Sequence, residues 1–333
     1  MNWGLGTVPH IKSMIIFKNL SDISEKLPNA VVTIGNFDGV HLGHREIFRR
    51  VKQLAAELGG VSVVVTFVPH PLKVLAPEKS PLLINTYAEK ETLIEASGID
   101  YLIEIPFDEK FAAITAREFV GTVLVEKIGV NKLVIGYDYA FGRNREGDVA
   151  LLRQLGEELS FKVEVLEPIS NGRTIFSSSL IRTMMMNGDV KGVVSLLGRH
   201  FSLGGTVVHG HHRGKGLGFP TANIETDKEL LPKDGVYAVK VKIDDVLYDG
   251  ACNIGSNPTF KDERLAIEVF LFDFEGDLYG KDARLYFIDR IRGELTFPDV
   301  PSLQKAIAKD IERCREILRD AAIIEYREYL VKD

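Results

Sequence analysis

The chain has 333 residues, with 41 Lys+Arg against 47 Asp+Glu, a formal net charge of −6 and 45% hydrophobic residues. At roughly 100–200 residues per domain this predicts two domains, each able to bury its own core. The acidic balance argues against a nucleic-acid partner held by bulk electrostatics, and no apolar run is long enough to predict a membrane span. Met1 to Ser13 show no basic segment followed by an apolar one, so a signal peptide is not expected. Two cysteines, Cys252 and Cys314, make neither a disulfide framework nor a four-thiolate zinc site, and a reducing, cytoplasmic setting is the expectation.

In chain order, Ile15-Ile16-Phe17 is a short strand-like run and Ala30 to Ile34 a buried strand. Ile47, Val51, Leu54, Ala55 and Leu58 then recur at spacings of three and four, one face of a helix. Val61 to Phe67, Lys132 to Ile135 and Phe161 to Leu166 are further apolar strands, with helical stretches near 113–128 and 148–159. Strands apolar on both faces belong to a parallel sheet covered by helices, so this half is predicted to be an open α/β sheet. Past a junction at Met184 to Asp189 the period changes. Gly235 to Ile243 places Tyr237, Val239, Val241 and Ile243 on one face, and Ala238, Lys240 and Lys242 on the other. With Val246 to Ile254, Leu265 to Phe272 and Ala283 to Ile288, that alternation predicts an antiparallel barrel. A helix from Ser302, with Ser302 as N-cap, closes the pattern.

Between the first long strand and its helix lies Gly35-Asn36-Phe37-Asp38-Gly39-Val40-His41-Leu42-Gly43-His44. Ligands of open α/β sheets bind beyond the carboxyl ends of strands. Glycines let backbone approach a phosphate, and a helix N-terminus offers free N–H groups. His41 and His44, one helical turn apart, can both donate to a triphosphate and steady charge on a leaving pyrophosphate. Further along, Ser177, Ser178 and Ser179 begin a predicted helix where hydroxyls cap it or bind phosphate, and Arg182 adds a planar donor fork. Asp138, at a strand end, can hold substrate or Mg²⁺, or form a turn. His70, between two prolines, is read as loop punctuation.

The segment Gly205 to Asn223 contains Gly210, Arg213, Gly214, Lys215, Gly216, Gly218 and Pro220. Its spacing fits neither a Walker A loop nor a dinucleotide fingerprint, yet it suits a loop folding over phosphates. Thr221 and Asn223 are hard oxygen ligands one residue apart, so on extended chain both can face one Mg²⁺. His209, His211 and His212 lack the second Cys/His cluster a metal site needs. Glu268, inside Leu265 to Phe272, is either a solvent-face residue or an acid held by partners.

These motifs resemble a known family. His41-Leu42-Gly43-His44 is the H-x-G-H signature of nucleotidyltransferases. The longer GNFDGVHLGH is similar to the FAD synthetase module of bacterial bifunctional riboflavin kinase/FMN adenylyltransferases. Phe67 to Pro71 matches F-x-P-H-P, Gly136 to Gly142 matches G-x-D-F-x-F-G with Tyr139 for Phe, and Phe176 to Arg182 matches I-S-S-T-x-I-R with Phe176 for Ile and Ser179 for Thr. In the second half, the loop ending Gly218-Phe219-Pro220-Thr221-Ala222-Asn223 resembles the riboflavin kinase signature. Gly235-Val236-Tyr237, Asn253 to Phe260, Glu268 with Leu278-Tyr279-Gly280, and Ile291 to Phe297 also agree, with Phe270 where many members have His.

The resemblance implies a Rossmann-like nucleotidyltransferase domain over 14–185 and a six-stranded antiparallel barrel with a C-terminal helix, a riboflavin kinase domain, over 186–320. It implies phosphorylation of riboflavin by ATP to give FMN and ADP, then adenylylation of FMN by a second ATP to give FAD and pyrophosphate. Glu268 is the implied general base, with Mg²⁺ at Thr221 and Asn223. His41, His44 and Arg182 are the implied adenylyl-transfer residues. Nucleotide contacts would come from Gly35, Asn36, Phe37, Asp38, Gly43, Ser178 and Ser179 in one domain, and from Gly210, Arg213, Gly214, Lys215, Gly218 and Pro220 in the other. Asp138, Arg292 and Glu294 are the implied flavin contacts. Nothing in the sequence sets the oligomeric state.

Overall fold

The computed structural model describes residues 13–170, 174–210, 216–257 and 262–324. They divide into two compact units: one formed by the chain to Pro81 and by Tyr87–Phe176, the other by Leu82–Thr86 and the chain from Ser177.

The first unit is a six-stranded parallel sheet of β1 (Ile15–Phe17), β2 (Ala30–Ile34), β3 (Ser62–Val68), β4 (Tyr101–Pro106), β5 (Val130–Gly136) and β6 (Lys162–Leu166), in the order β1-β4-β3-β2-β5-β6. All five residues of β2 are buried, because helices cover both faces. Val31 and Val134 pack with Val51, Leu54 and Ala55 of helix α1 (Leu42–Glu57). Val32, Ile34 and Leu133 pack on the other face with Phe119, Val120, Val123, Leu124 and Ile128 of the helical stretch Phe119–Ile128. Each fully buried aliphatic side chain contributes about 1.5–3 kcal/mol relative to exposure. Phe48 joins the buried face of α1, whereas Leu58, expected on that face, is the C-cap and is 41% exposed. From β2 the strands run one way to β3 and β4, then return to β5 on the other side. The order therefore reverses between β2 and β5, where such sheets open a crevice at the strand ends.

The second unit is a closed antiparallel barrel of β7 (Ser202–Val208), β8 (Ala222–Glu225), β9 (Gly235–Ile243), β10 (Val246–Asn257), β11 (Asp262–Leu271) and β12 (Asp282–Arg292), in the order β10-β11-β8-β7-β12-β9. The α/β plus six-stranded-barrel organisation expected from sequence is the one present. Tyr237, Val239, Val241 and Ile243 are buried together on one face of β9. Ala238, on the opposite face, packs with Cys314 and Leu318 of the C-terminal helix Val300–Leu318. That helix is capped by Asp299, whose carboxylate accepts from the Ser302 backbone N–H at 2.8 Å. Ser302 is thus inside the first turn and is not the cap, since Pro301, fixed in φ, already fits the helix start. The Leu82–Thr86 segment is stitched into this unit: Leu83 N–H donates to Glu229, Leu230 N–H donates to the Leu83 carbonyl, and Arg199 donates to Asn85.

Candidate functional site

In the first unit the Gly35–His44 segment leaves β2 and enters α1. It holds Phe37, Gly39 and Val40 at φ of +47°, +88° and +36°, left-handed conformations that are costly for non-glycine residues and persist where the surrounding structure enforces them. His41 is the N-cap of α1, 4% exposed, and its Nδ1 accepts from the His44 N–H at 3.3 Å. In the neutral ring the proton is then on Nε2, which makes that nitrogen a donor. The two imidazoles stack at 3.6 Å between centroids, and Phe37 meets His44 edge-on at 5.2 Å. Gly43 permits this stack, because a Cβ there would stand 3.0 Å from His41 Cε1. A Cβ at Gly35 would likewise press on the Phe37 ring at 3.0 Å. Asp38 is buried and Asn36 exposed.

Across the β2/β5 crevice, Asp138 is exposed in the turn after β5, where Tyr139 N–H donates to the Gly136 carbonyl. The topology thus brings Gly35, Asn36, Phe37, Asp38, His41, Gly43, His44 and Asp138 to one end of the sheet. Ser178, Ser179 and Arg182 lie on the helix Ser178–Asn187, which groups with the second unit. Its cap is Ser177, whose hydroxyl accepts from Leu180 N–H at 3.2 Å, and Arg182 Nε donates to the Leu82 carbonyl at 2.8 Å.

His70, read from sequence as punctuation, is 8% exposed and caps the helix Pro71–Leu75. Its Nδ1 accepts from Leu72 N–H at 3.2 Å and its Nε2 lies 3.0 Å from the Asn36 side-chain amide. It is the Asn36 Nδ2 that faces Nε2, and the ring tautomer decides the direction of that bond. His70 thereby fixes a residue of the turn. Lys90 is a second residue that sequence reasoning missed: it is 5% exposed and donates to Thr66 Oγ1 at 3.0 Å and to the Asn36 carbonyl at 3.5 Å. Only a lysine inside a weakly amphipathic helix marked it.

In the barrel, Glu268 of β11 is paired directly with Asn223 of β8 on one side and Asn253 of β10 on the other. Directly paired residues present side chains on the same face, so the row Val208, Asn223, Glu268, Asn253, Val236 and Arg292 runs around one level of the barrel. Glu268 alternates with Val269 and Ile267, whose side chains are buried, and so lies on the same face as Ala238, towards the C-terminal helix. It is half-buried, as are Asn223 and Asn253.

Asn223 packs against Gly210, where a Cβ would overlap the amide and displace it. Gly218 takes φ +87° and stands shortly before Pro220-Thr221, which lead into β8. The Leu217 carbonyl accepts from Gln304 Nε2 at 3.1 Å, tying the end of this loop to the C-terminal helix. Phe270 stands edge-on to Phe219 at 5.8 Å and tilted against Phe272 at 5.8 Å, so aromatic packing fills this position. Arg292 pairs with Asp310, Nε to Oδ2 at 2.9 Å and Nη2 to Oδ2 at 2.8 Å, and lies over the Phe297 ring. Glu294 abuts Gly255; burial, then repulsion by Asp234, raises its carboxyl above the usual range. Arg213, Gly214 and Lys215, with His211 and His212, lie outside the described residues. Among the described residues no cluster of three or more His, Cys, Asp or Glu could hold a metal, and no helix is long and apolar enough to cross a membrane.

Residues 23–180 match the FAD synthetase family model, and residues 197–318 match the riboflavin kinase model. The fold and these matches define a transferase of the flavin-nucleotide class with two unlike domains. A bifunctional riboflavin kinase/FMN adenylyltransferase of Buchnera aphidicola is 36% identical over 301 residues, covering 90% of this chain and 96% of that one. The protein of that description from Bacillus subtilis is 37% identical over 295 residues, covering 86% and 92%. A solved Streptococcus pneumoniae structure, described as a macrolide-efflux protein, superposes with a TM-score of 0.80 at 32% identity, covering 93% of this chain and 100% of that one. The chain belongs to the bifunctional riboflavin kinase/FMN adenylyltransferase family.

Proposed function

We propose that the barrel, with the chain over 186–320, phosphorylates riboflavin with ATP, and that the α/β domain over 14–185 adenylylates the resulting FMN. The observation that carries the kinase reading is the placement of Glu268 between Asn223 and Asn253 in register. A half-buried carboxylate flanked by amides on rigid strands is held where it can orient and deprotonate an attacking hydroxyl. The ribityl 5′-oxygen bonds to the γ-phosphorus as its proton passes to Glu268, and the bond from that phosphorus to the β,γ-bridging oxygen breaks, releasing ADP. Thr221 and Asn223, hard oxygen donors on one face of extended chain beside Glu268, fit a Mg²⁺ bound with ATP; when bound, Mg²⁺ offsets phosphate charge. Gly210, Gly218 and Pro220 shape the loop over the phosphates, with Arg213, Gly214 and Lys215 assigned by motif. Arg292 and Glu294 border the flavin, Arg292 acting through its tie to the C-terminal helix.

In the α/β domain the phosphate oxygen of FMN attacks the α-phosphorus of ATP, and the α,β-bridging bond breaks to release pyrophosphate. No covalent enzyme intermediate is involved, so rate comes from positioning and from donors aimed at developing charge. His41 Nε2 and His44 supply those donors, and Gly35, Asn36, Phe37, Asp38 and Gly43 form the backbone cradle. Ser178, Ser179 and Arg182 are assigned to ATP by their motif, and Asp138 to the flavin substrate. Purified protein incubated with riboflavin, ATP and Mg²⁺ is expected to yield FMN and then FAD on chromatographic separation. If neither flavin forms, the reading fails as a whole; FMN without FAD would leave only the kinase.

A further inference from the structure

We propose that Lys90 is a positioning residue for adenylyl transfer, its buried ammonium bracing the Gly35–Asp38 turn from behind so that a triphosphate can settle beside a buried carboxylate. This rests on the reading of that turn as the ATP site. Lys90 projects from the helix Tyr87–Ala96, and its Nζ donates to Thr66 Oγ1 and the Asn36 carbonyl, while Thr66 Oγ1 itself donates to that carbonyl at 3.4 Å. The ammonium lies 5.3 Å from the Tyr87 ring centroid, and the Tyr87 hydroxyl accepts from His70 N–H at 3.0 Å. Asn36 is therefore gripped twice, by its carbonyl through Lys90 and Thr66 and by its side chain through His70.

A buried ammonium is costly unless something requires it. Glu104 on β4 supplies the largest opposing charge, although its carboxylate also pairs with Lys18 at 2.8 Å, and Lys18 pairs with Glu91 at 2.7 Å. The hydrogen bonds of Lys90 go to Thr66 on β3 and to the Asn36 carbonyl of the turn, which Thr66 also contacts. The charged groups around it are Glu104 on β4, Asp38 in the turn, Glu91 on its own helix and Lys18 beyond β1. Asp38 is only 6% exposed, and without a cation behind it that carboxylate would repel incoming phosphates. Burial lowers the Lys90 pKa to about 8, against the opposing pull of Glu104, Asp38 and Glu91. The bracing charge is consequently present below about pH 8 and lost as the pH rises through that value.

The test measures FAD formation from supplied FMN and ATP between about pH 6.5 and about pH 9.5, with FMN formation from riboflavin as the control in the same protein. For the unaltered protein, kcat/KM for FAD formation should fall about tenfold per pH unit above about pH 8. Lys90→Arg should stay within a few-fold at neutral pH and lose that alkaline limb, since a guanidinium does not titrate there. Lys90→Met should lower kcat/KM for FAD formation by about 10–100-fold at neutral pH with FMN formation unchanged. An arginine variant that keeps the limb near pH 8, or a methionine variant that makes FAD at the normal rate, overturns the role of Lys90. If the methionine variant does not fold, the pH profile of the arginine variant decides. An unaltered protein that makes no FAD from FMN overturns the ATP-site reading itself.

Discussion

The two units place their proposed reactive groups by different means. In the parallel sheet they stand beyond the strands, in a turn with positive φ at Phe37, Gly39 and Val40, and at the first turn of a helix. In the barrel, Glu268, Asn223 and Asn253 lie within paired strands, and the register alone sets them side by side. The first arrangement depends on glycines and on buried side chains behind the turn. The second depends on hydrogen-bonded ladders, in which a slip of one residue would turn Glu268 to the other face. A loop site is therefore open to adjustment from behind, whereas a ladder site is fixed by the strands that carry it.

Substitutions can break that division. Glu268→Gln should cost riboflavin phosphorylation about 10²–10⁴-fold, the range for a general base, and leave FAD formation from FMN untouched. A Gln variant that makes FMN at the normal rate would remove Glu268 as the base. His44→Ala should cost FAD formation about 10²–10³-fold, as loss of a transition-state donor does, while FMN accumulates. Arg182→Ala should act in the same direction, and loss of FMN formation in either variant would contradict separate sites. Asp299→Ala should lower stability by about 1 kcal/mol through loss of the helix cap, with Ser302→Ala much closer to neutral; thermal melting of both distinguishes the caps.

The smallest effect concerns Glu294. Its folded pKa is raised by burial and by Asp234, so its contribution to stability is present below the ordinary carboxyl value and is lost as pH rises through the raised one. Glu294→Gln should then raise the melting temperature slightly at neutral pH and leave it unchanged in acid. Equal shifts at both pH values would mean that the carboxyl's charge plays no part.

What the sequence made legible follows from local physics. β2, β3 and β5 are apolar on both faces and stand out as parallel strands, and the alternation in β9 marks its two faces. β4 did not stand out, because Glu104 interrupts its apolar run; the partner that makes that residue tolerable, Lys18, is 86 residues away in the chain. The helix Tyr87–Ala96 hid for a related reason, its buried face including Lys90. β8 spans four residues and is too short to show a period. The cap of the C-terminal helix was misplaced by one turn: Asp299 and Ser302 are both good caps, and Pro301 between them is the residue that decides. Glu268 illustrates the limit most directly. Alternation leaves it as a solvent-face residue or an acid held by partners, and its cross-strand neighbours, Asn223 and Asn253, which support the proposed role, come from register that the local pattern does not carry.

The stitching of Leu82–Thr86 into the barrel unit has a consequence for modularity. The barrel unit draws on two stretches of chain, and Met185, fully buried, accepts from Lys233 N–H through its carbonyl. A fragment begun at residue 186 would lack that methionine together with the segment that pairs with Glu229, Leu230 and Arg199. The two units are interlaced along this polypeptide, and no single proteolytic cut would release two complete pieces. Point substitutions, rather than truncations, are the means to silence one half and leave the other whole.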